Sequence, residues 1–294
     1  MPELPDLTVY LESLAARIAN QRLLRVKVLN PFLLRTAVPP LSALEGLRVT
    51  ALRRVGKRIV LALENEYFLV LHLMVAGRLR WLERKAKPPG RITLALFEFE
   101  IGTLALTEAG SRRRASLHVV QGEDALRAMD PGGAEVLALS EGQFREILKK
   151  ENHTLKRALT DPHLFAGIGN AYSDEILHAA RLSPIALSFS LSDQQIHFLF
   201  EATKATLKTW TDRLRTEADR NFPEKVTAFR EGMAVHGRYG KPCPVCGAPV
   251  QRIRYADKET NYCARCQTGG KVLADRSLSR LLKASWPKSI EELE

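Results

Sequence analysis

Cys243-Pro244-Val245-Cys246 and, after sixteen intervening residues, Cys263-Ala264-Arg265-Cys266 contain all four cysteines of the chain. Two Cys-x-x-Cys pairs at this separation offer four thiolates to one tetrahedral Zn(II). Gly247 follows the first pair, where a tight turn takes a small residue. The other reading is two disulfides, which need an oxidising compartment. No charged-then-apolar leader opens the sequence, so export is not expected. A site closed by four thiolates is structural, and one zinc ion is expected to hold a fold here rather than do chemistry.

N-terminal to this ribbon the pattern is helical from about residue 141 to about 216, with candidate segments Glu141–Lys150, Thr154–Thr160, Ala171–Ala180 and Asp193–Arg215. Leu164–Asn170 interrupts them. Asp130-Pro131-Gly132-Gly133 is the strongest linker. Before it, short β-like runs succeed one another: Arg48–Arg54, Arg58–Leu63, Tyr67–Leu73, Ile92–Glu100 and Thr103–Thr107. Close turns separate them, as in an antiparallel sandwich or barrel. At the start, Leu7, Tyr10, Leu11, Leu14 and Ile18 predict a helix over 7–19, with Asp6 as N-cap and Asn20 as stop. C-terminal to the ribbon, Leu273, Leu278, Leu281, Leu282 and Trp286 fit one face of an amphipathic helix, packed on the protein or against a partner. The expected fold is α+β: an N-terminal helix with an antiparallel β-sandwich (1–130), a helical domain (131–235), a four-cysteine zinc ribbon (236–268) and an extension (269–294).

Composition bounds the function. A length of 294 residues favours two domains of ordinary size, and 45% hydrophobic residues exclude a disordered chain. Apolar runs such as Tyr67–Leu73 fall short of the ~18 residues of a membrane span. The 44 Lys+Arg outnumber the 33 Asp+Glu, and the net charge of +11 favours a polyanion, nucleic acid before acidic membrane. From Arg238 to Lys283 ten bases face three acids, so most of the surplus lies in the ribbon and its extension.

The N-terminus reads Met1-Pro2-Glu3-Leu4-Pro5-Asp6. A small residue at position 2 is the usual condition for removal of the initiator Met, which exposes Pro2 as a secondary amine. An α-amino group has pKa ~7.7–8.0 against ~10.4 for lysine, so a sizeable fraction is unprotonated near neutral pH. Such an amine is a nucleophile for an aldehyde-like carbon, and Glu3 stands beside it as a general acid/base. The same residues also read as a turn ahead of a helix.

Met1–Pro5, the run Leu164-Phe165-Ala166-Gly167-Ile168-Gly169-Asn170-Ala171-Tyr172-Ser173-Asp174-Glu175 and the terminal ribbon occur in that order. This combination, reaching to about Gln267, resembles the formamidopyrimidine-DNA glycosylase / endonuclease VIII family. The resemblance implies damaged DNA as partner and a monomeric, cytoplasmic, bacterial protein acting at the nucleoid. It implies that Pro2 attacks C1′ of the damaged nucleotide, Glu3 serves as acid/base, and Lys57, on a turn, holds a phosphate at the scissile nucleotide. β-Elimination and then δ-elimination follow. Asp6 stands where the formamidopyrimidine branch has Glu. Gly167–Asn170 matches the turn of a helix–two-turn–helix element, and Lys156 a phosphate contact; Asn170 either caps the next helix or donates to phosphate. Glu175 holds the turn rather than touching DNA. Lys258 takes the place of the family's finger arginine and lacks its bidentate fork.

Several departures bear on substrate. Val75 stands where an intercalating Met is expected, with Met74 one residue early. Arg112, Arg113 and Arg114 replace an Arg-Phe pair, so an Arg plane or Met74 must fill the gap left by a flipped base. Thr216–Glu231 lacks the Gly/Thr-rich loop that covers 8-oxoguanine. The expected function is a bifunctional glycosylase/AP lyase for oxidised bases other than a standard 8-oxoguanine specialist. The alternatives are a non-catalytic damaged-DNA-binding paralogue and an RNA-binding zinc-ribbon protein.

Overall fold

Leu7, Tyr10, Leu14 and Ile18 recur every three or four residues, and all four are fully buried along one face of α1 (Leu4–Ile18). The helix begins three residues earlier than the apolar pattern alone suggests. Glu3 is its N-cap, Asp6 is the third helical residue, and the two form a reciprocal capping box. Pro5 is tolerated because the first turn has no intrahelical N–H bond to lose. The computed structural model describes residues 1–84, 86–255, 258–275, 281–282 and 285–292, with the side chains of Tyr255 and Lys258 outside it. The chain forms two compact units, one of residues 1–132 and 210–227, the other of 133–209 and 228–294.

In the first unit α1 is followed by β1 (Arg25–Val28), β2 (Val49–Val55), β3 (Arg58–Leu63), β4 (Tyr67–His72), β5 (Gly77–Glu83), β6 (Thr93–Phe99), β7 (Gly102–Glu108) and β8 (Ser116–Gln121). They make two antiparallel four-stranded sheets, ordered β1-β6-β7-β5 and β2-β3-β4-β8. Inward residues of both sheets, among them Ile59, Leu61, Leu69, Leu71, Phe97, Leu104 and Leu106, share one core with the apolar face of α1. This is the expected sandwich. Strands β3 and β4 are apolar on both faces, because Val60, Ala62, Phe68 and Val70 pack outward under Leu126 of α2 (Glu123–Arg127). Glu123-Asp124 and Arg127 mask that short helix in the sequence.

The second unit contains α3 (Glu141–Leu148), α4 (Leu155–Thr160), α5 (Asn170–Ala179), the first part of α6 (Asp193–Ala218), a hairpin of β9 (Gln251–Tyr255) and β10 (Lys258–Tyr262), and α7 (Ala264–Thr268). Ser140 opens α3 with a capping box closed by Gln143. The C-terminal segment folds back on the ribbon: Val272 N–H donates to the Lys288 carbonyl at 3.0 Å and Ile290 N–H to the Gly270 carbonyl at 2.8 Å. Leu273 and Ile290 lie in the ribbon core, whereas Leu281 and Leu282 are exposed. Of the anticipated apolar face, Leu273 thus packs on the protein. Leu278 lies outside the described residues. Among those described, no helix is long and apolar enough to cross a membrane.

Candidate functional site

The chain terminus is enclosed by charge within the first unit. Burial lowers the Met1 α-amino group below its ordinary pKa; the Glu3 and Asp6 carboxylates push it back up, while Arg78 and Lys57 push it down. Pro2 and Glu3 are buried, Glu3 at 3% exposure. Asp6 Oδ2 accepts the Glu3 N–H at 2.9 Å, so the Asp6 carboxylate caps the helix, and Glu3 is fixed at its base. Lys57 lies on the two-residue turn between β2 and β3, closed by the pair Val55 and Arg58. Gly56 takes φ +56 there, a conformation that costs glycine little.

Arg78, which sequence reasoning did not single out, ties the turn after β4. It donates to the carbonyls of Val75 at 3.0 Å, Gly77 at 2.7 Å and Val226. A Cβ on Gly77 would lie 2.2 Å from the Leu73 carbonyl oxygen, so only glycine permits this turn. At its tip Val75 is 61% exposed, while Met74 is half-buried with φ +51. The stretch 219–227 is drawn into the sandwich core by Phe222 and Val226, with the Phe222 ring 5.7 Å from Tyr10.

Arg112, Arg113 and Arg114 are all exposed on the loop between β7 and β8. Its base is closed by Glu108, 1% exposed, whose carboxylate accepts the N–H groups of Arg114 and Ala115 at 3.0 Å. Only an acid ending one strand four residues ahead of the first of the arginines hinted at this clamp.

His72 sits across β4 from Arg58 on β3 and Ser116 on β8. Burial, then Arg58, Lys57 and His118, lower its pKa to about 4. The ring is neutral when folded and titrates near 6.5 when unfolded. The unfolded chain therefore binds the extra proton, so this contribution is complete above about pH 6.5 and is lost as pH falls toward 4. Replacing His72 by Gln should flatten the acid limb of stability by roughly 2 kcal/mol between pH 7 and 4.5. Urea unfolding at the two pH values checks this; an unchanged limb would contradict it.

In the second unit, Gly167 takes φ +82 and Gly169 serves as N-cap of α5. Asn170 is the first helical residue and does not cap. Its Nδ2 donates instead to the Glu259 carbonyl of β10 at 2.8 Å. The side-chain amide has two N–H donors, so this bond leaves one for another acceptor. Lys156 of α4 donates to the Asn170 carbonyl at 2.7 Å and pairs with Asp174 of α5. Glu175 turns inward and accepts the N–H groups of Ala234, Val235 and His236 at 2.7–2.9 Å, holding the approach to the ribbon. Burial pushes its carboxyl up, opposed by those three bonds.

Residues 1–117 match the formamidopyrimidine-DNA glycosylase N-terminal domain, 133–216 the H2TH domain of the same enzymes, and 240–269 a zinc finger found in FPG and IleRS. The formamidopyrimidine-DNA glycosylase of Heliobacterium modesticaldum is 34% identical over 278 residues, 91% of this chain and 100% of that one. The chain belongs to the formamidopyrimidine-DNA glycosylase family. An uncharacterized formamidopyrimidine-DNA glycosylase-like protein of Mycobacterium tuberculosis is 44% identical over 151 residues, 51% of this chain and 94% of the relative. A Lactococcus lactis FPG variant in complex with a Fapy-dG-containing DNA superposes with TM-score 0.81 at 25% identity, covering 91% of this chain and 100% of that one. Membership makes the chain a DNA glycosylase of DNA repair.

The family's ribbon is complete in the second unit. The Sγ atoms of Cys243, Cys246, Cys263 and Cys266 lie within 4.8 Å of one another. The Cys246–Cys263 and Cys243–Cys266 separations are 3.4 and 4.0 Å. Four sulfurs ~2.3 Å from one tetrahedral zinc stand ~3.8 Å apart, so the donor set fits the ion. His178 of α5 places Nε2 3.3 Å from the Cys243 sulfur, a contact the sequence did not signal. On the hairpin, Arg252 and Arg254 both lie 3.3 Å from the Glu259 carboxylate. Lys258 begins β10 opposite Tyr255, and its side chain lies outside the described residues.

Proposed function

We propose that the chain is a bifunctional DNA glycosylase and AP lyase acting through an N-terminal proline. Removal of Met1 leaves Pro2 with a free secondary amine. Its lone pair forms the N–C1′ bond as the C1′–base bond breaks, and the base departs with that electron pair. Glu3 gives a proton to O4′ as the sugar ring opens and takes up the one shed by the proline nitrogen, giving an iminium at C1′, while the departed base takes a proton from water. Loss of a C2′ proton then expels the 3′ phosphate, and a further elimination expels the 5′ phosphate. Lys57 holds a phosphate beside the sugar. The observation that supports this most is the setting of Pro2, buried next to a Glu3 that is 3% exposed, with the charges of Glu3, Arg78 and Lys57 all acting on the adjoining chain terminus.

DNA is gripped by Lys156, Asn170 and Lys258, and the gap left by the extruded base is filled from Met74 or Arg112–Arg114. With no aromatic among those arginines and an exposed Val75 at the neighbouring tip, the preferred substrates are oxidised pyrimidines, ring-opened purines and abasic or unpaired sites. Structural relatives bound to Fapy-dG-containing DNA and to THF-DNA are consistent with that range. One zinc ion holds the ribbon, and the protein works as a monomer in the cytoplasm on the nucleoid, with boundaries near 130, 235 and 268.

Borohydride trapping on an abasic-site oligonucleotide tests the chemistry. The processed protein should give a covalent adduct through Pro2, located by peptide mapping. Lesion binding with no adduct and no strand scission would replace this reading with a non-catalytic binder.

A further inference from the structure

The carboxylate of Asp174 is fully buried, and each oxygen has a basic partner. Oδ1 lies 2.5 Å from the Lys156 ammonium and Oδ2 lies 2.7 Å from Nδ1 of His236. An ionised carboxylate only accepts, so the His236 ring carries its proton on Nδ1. Lys156 also donates to the Asn170 carbonyl at 2.7 Å, which commits two of its three N–H bonds. Its side chain keeps 14% exposure for a third acceptor.

His236 is itself held on several sides. Its backbone N–H donates to Glu175 Oε1 at 2.9 Å, and its ring stacks on Phe229 at 5.6 Å and 13°. The next residue, Gly237, donates to Asn261 Oδ1 at 2.8 Å, and a Cβ there would fall 2.5 Å from the Phe229 ring. The ring is thus a fixed post, and Asp174 is the strut between it and the lysine.

We propose that His236 is a positioning residue for phosphate binding, acting through Asp174 to hold the Lys156 ammonium beside the Gly167–Asn170 turn. This rests on the reading of Lys156 as a phosphate contact. A lysine on a four-carbon stem ordinarily loses rotamer freedom on binding; one already fixed by two bonds has lost it in the free protein. The His236 bond also shares the negative charge of Asp174, which would otherwise fall wholly on Lys156 and weaken its attraction for an anion.

The test is equilibrium binding of the full zinc-loaded chain to a duplex carrying a tetrahydrofuran abasic analogue, across a range of salt. Lys156→Ala should weaken binding about tenfold, the scale of one charge-assisted bond, and reduce the salt slope by about 0.9, one phosphate. His236→Phe should reproduce most of that loss, and the double variant should be no weaker than Lys156→Ala alone. His236→Asn, whose amide N–H stands near the place of Nδ1, should recover most of the affinity. Additive losses in the double variant, or wild-type binding by His236→Phe, would overturn the positioning role while leaving the phosphate contact intact. A Lys156→Ala protein with unchanged affinity and salt slope would overturn the phosphate contact, and the role of His236 with it. Should His236→Phe lose its cooperative melt, His236→Leu set against His236→Asn carries the same comparison.

Discussion

Glu3→Gln should release damaged bases about 10²–10⁴-fold more slowly than the wild type, the range a positioned general acid/base supplies, while binding lesion DNA nearly as well. Two structural facts make the substitution informative. Glu3 is buried at the base of α1, and its carboxylate accepts the Asp6 N–H within the capping box. Glutamine keeps an acceptor oxygen at the same length, so the cap and the register of α1 survive while the titratable proton is removed. A drop in single-turnover base release with unchanged affinity and melting temperature separates chemistry from folding. Wild-type release by Glu3→Gln would assign the proton transfer to another group, and Asp6 is a poor candidate because its carboxylate is already bonded to the Glu3 N–H.

Removing zinc should unfold the ribbon and abolish DNA binding by the full chain. The ribbon core consists of Val235, Cys243, Ala248, Val250, Ile253, Tyr262, Cys263, Ala264, Leu273 and Ile290. A core this small is insufficient without a staple. Four-thiolate zinc supplies apparent binding energies of ~10–16 kcal/mol, which is folding energy for such a module. Its loss releases the β9–β10 hairpin, and with it the Glu259 carbonyl that Asn170 holds. Complete chelation followed by a binding titration checks this, and Cys263→Ser should behave as the chelated protein does. Full binding by metal-free protein would show that the ribbon is dispensable for recognition.

Much of this architecture was legible because its signals are local. The Cys-x-x-Cys pairs report their own geometry, the alternating runs of the sandwich report their buried faces, and Gly167-Ile168-Gly169-Asn170 reports a turn by composition. The apolar pattern places α1 late because its cap is a glutamate, outside the usual N-cap set, and only the partnership of Glu3 with Asp6 reveals it. What stayed hidden depends on pairing across long sequence separations. Asp174 meets His236, His178 meets Cys243, and Arg78 meets Val226, and no periodicity in one segment announces a partner in another. In the extension the helical spacing of the leucines points to Leu273, which reaches the ribbon core, but not to Ile290, which joins it there from a later turn.

Glu108 separates the arginine loop from the sheet that carries it. Both ends of the arginine loop close on one carboxylate at the end of β7, and the loop's arginine side chains are exposed. Substitutions and short insertions between Ala109 and Arg113 therefore leave the sheet register and the sandwich core undisturbed. The loop is built as a cassette: if its arginines meet the gap left by the extruded base, as proposed, replacing them should alter lesion choice while leaving the melting temperature of the sandwich unchanged.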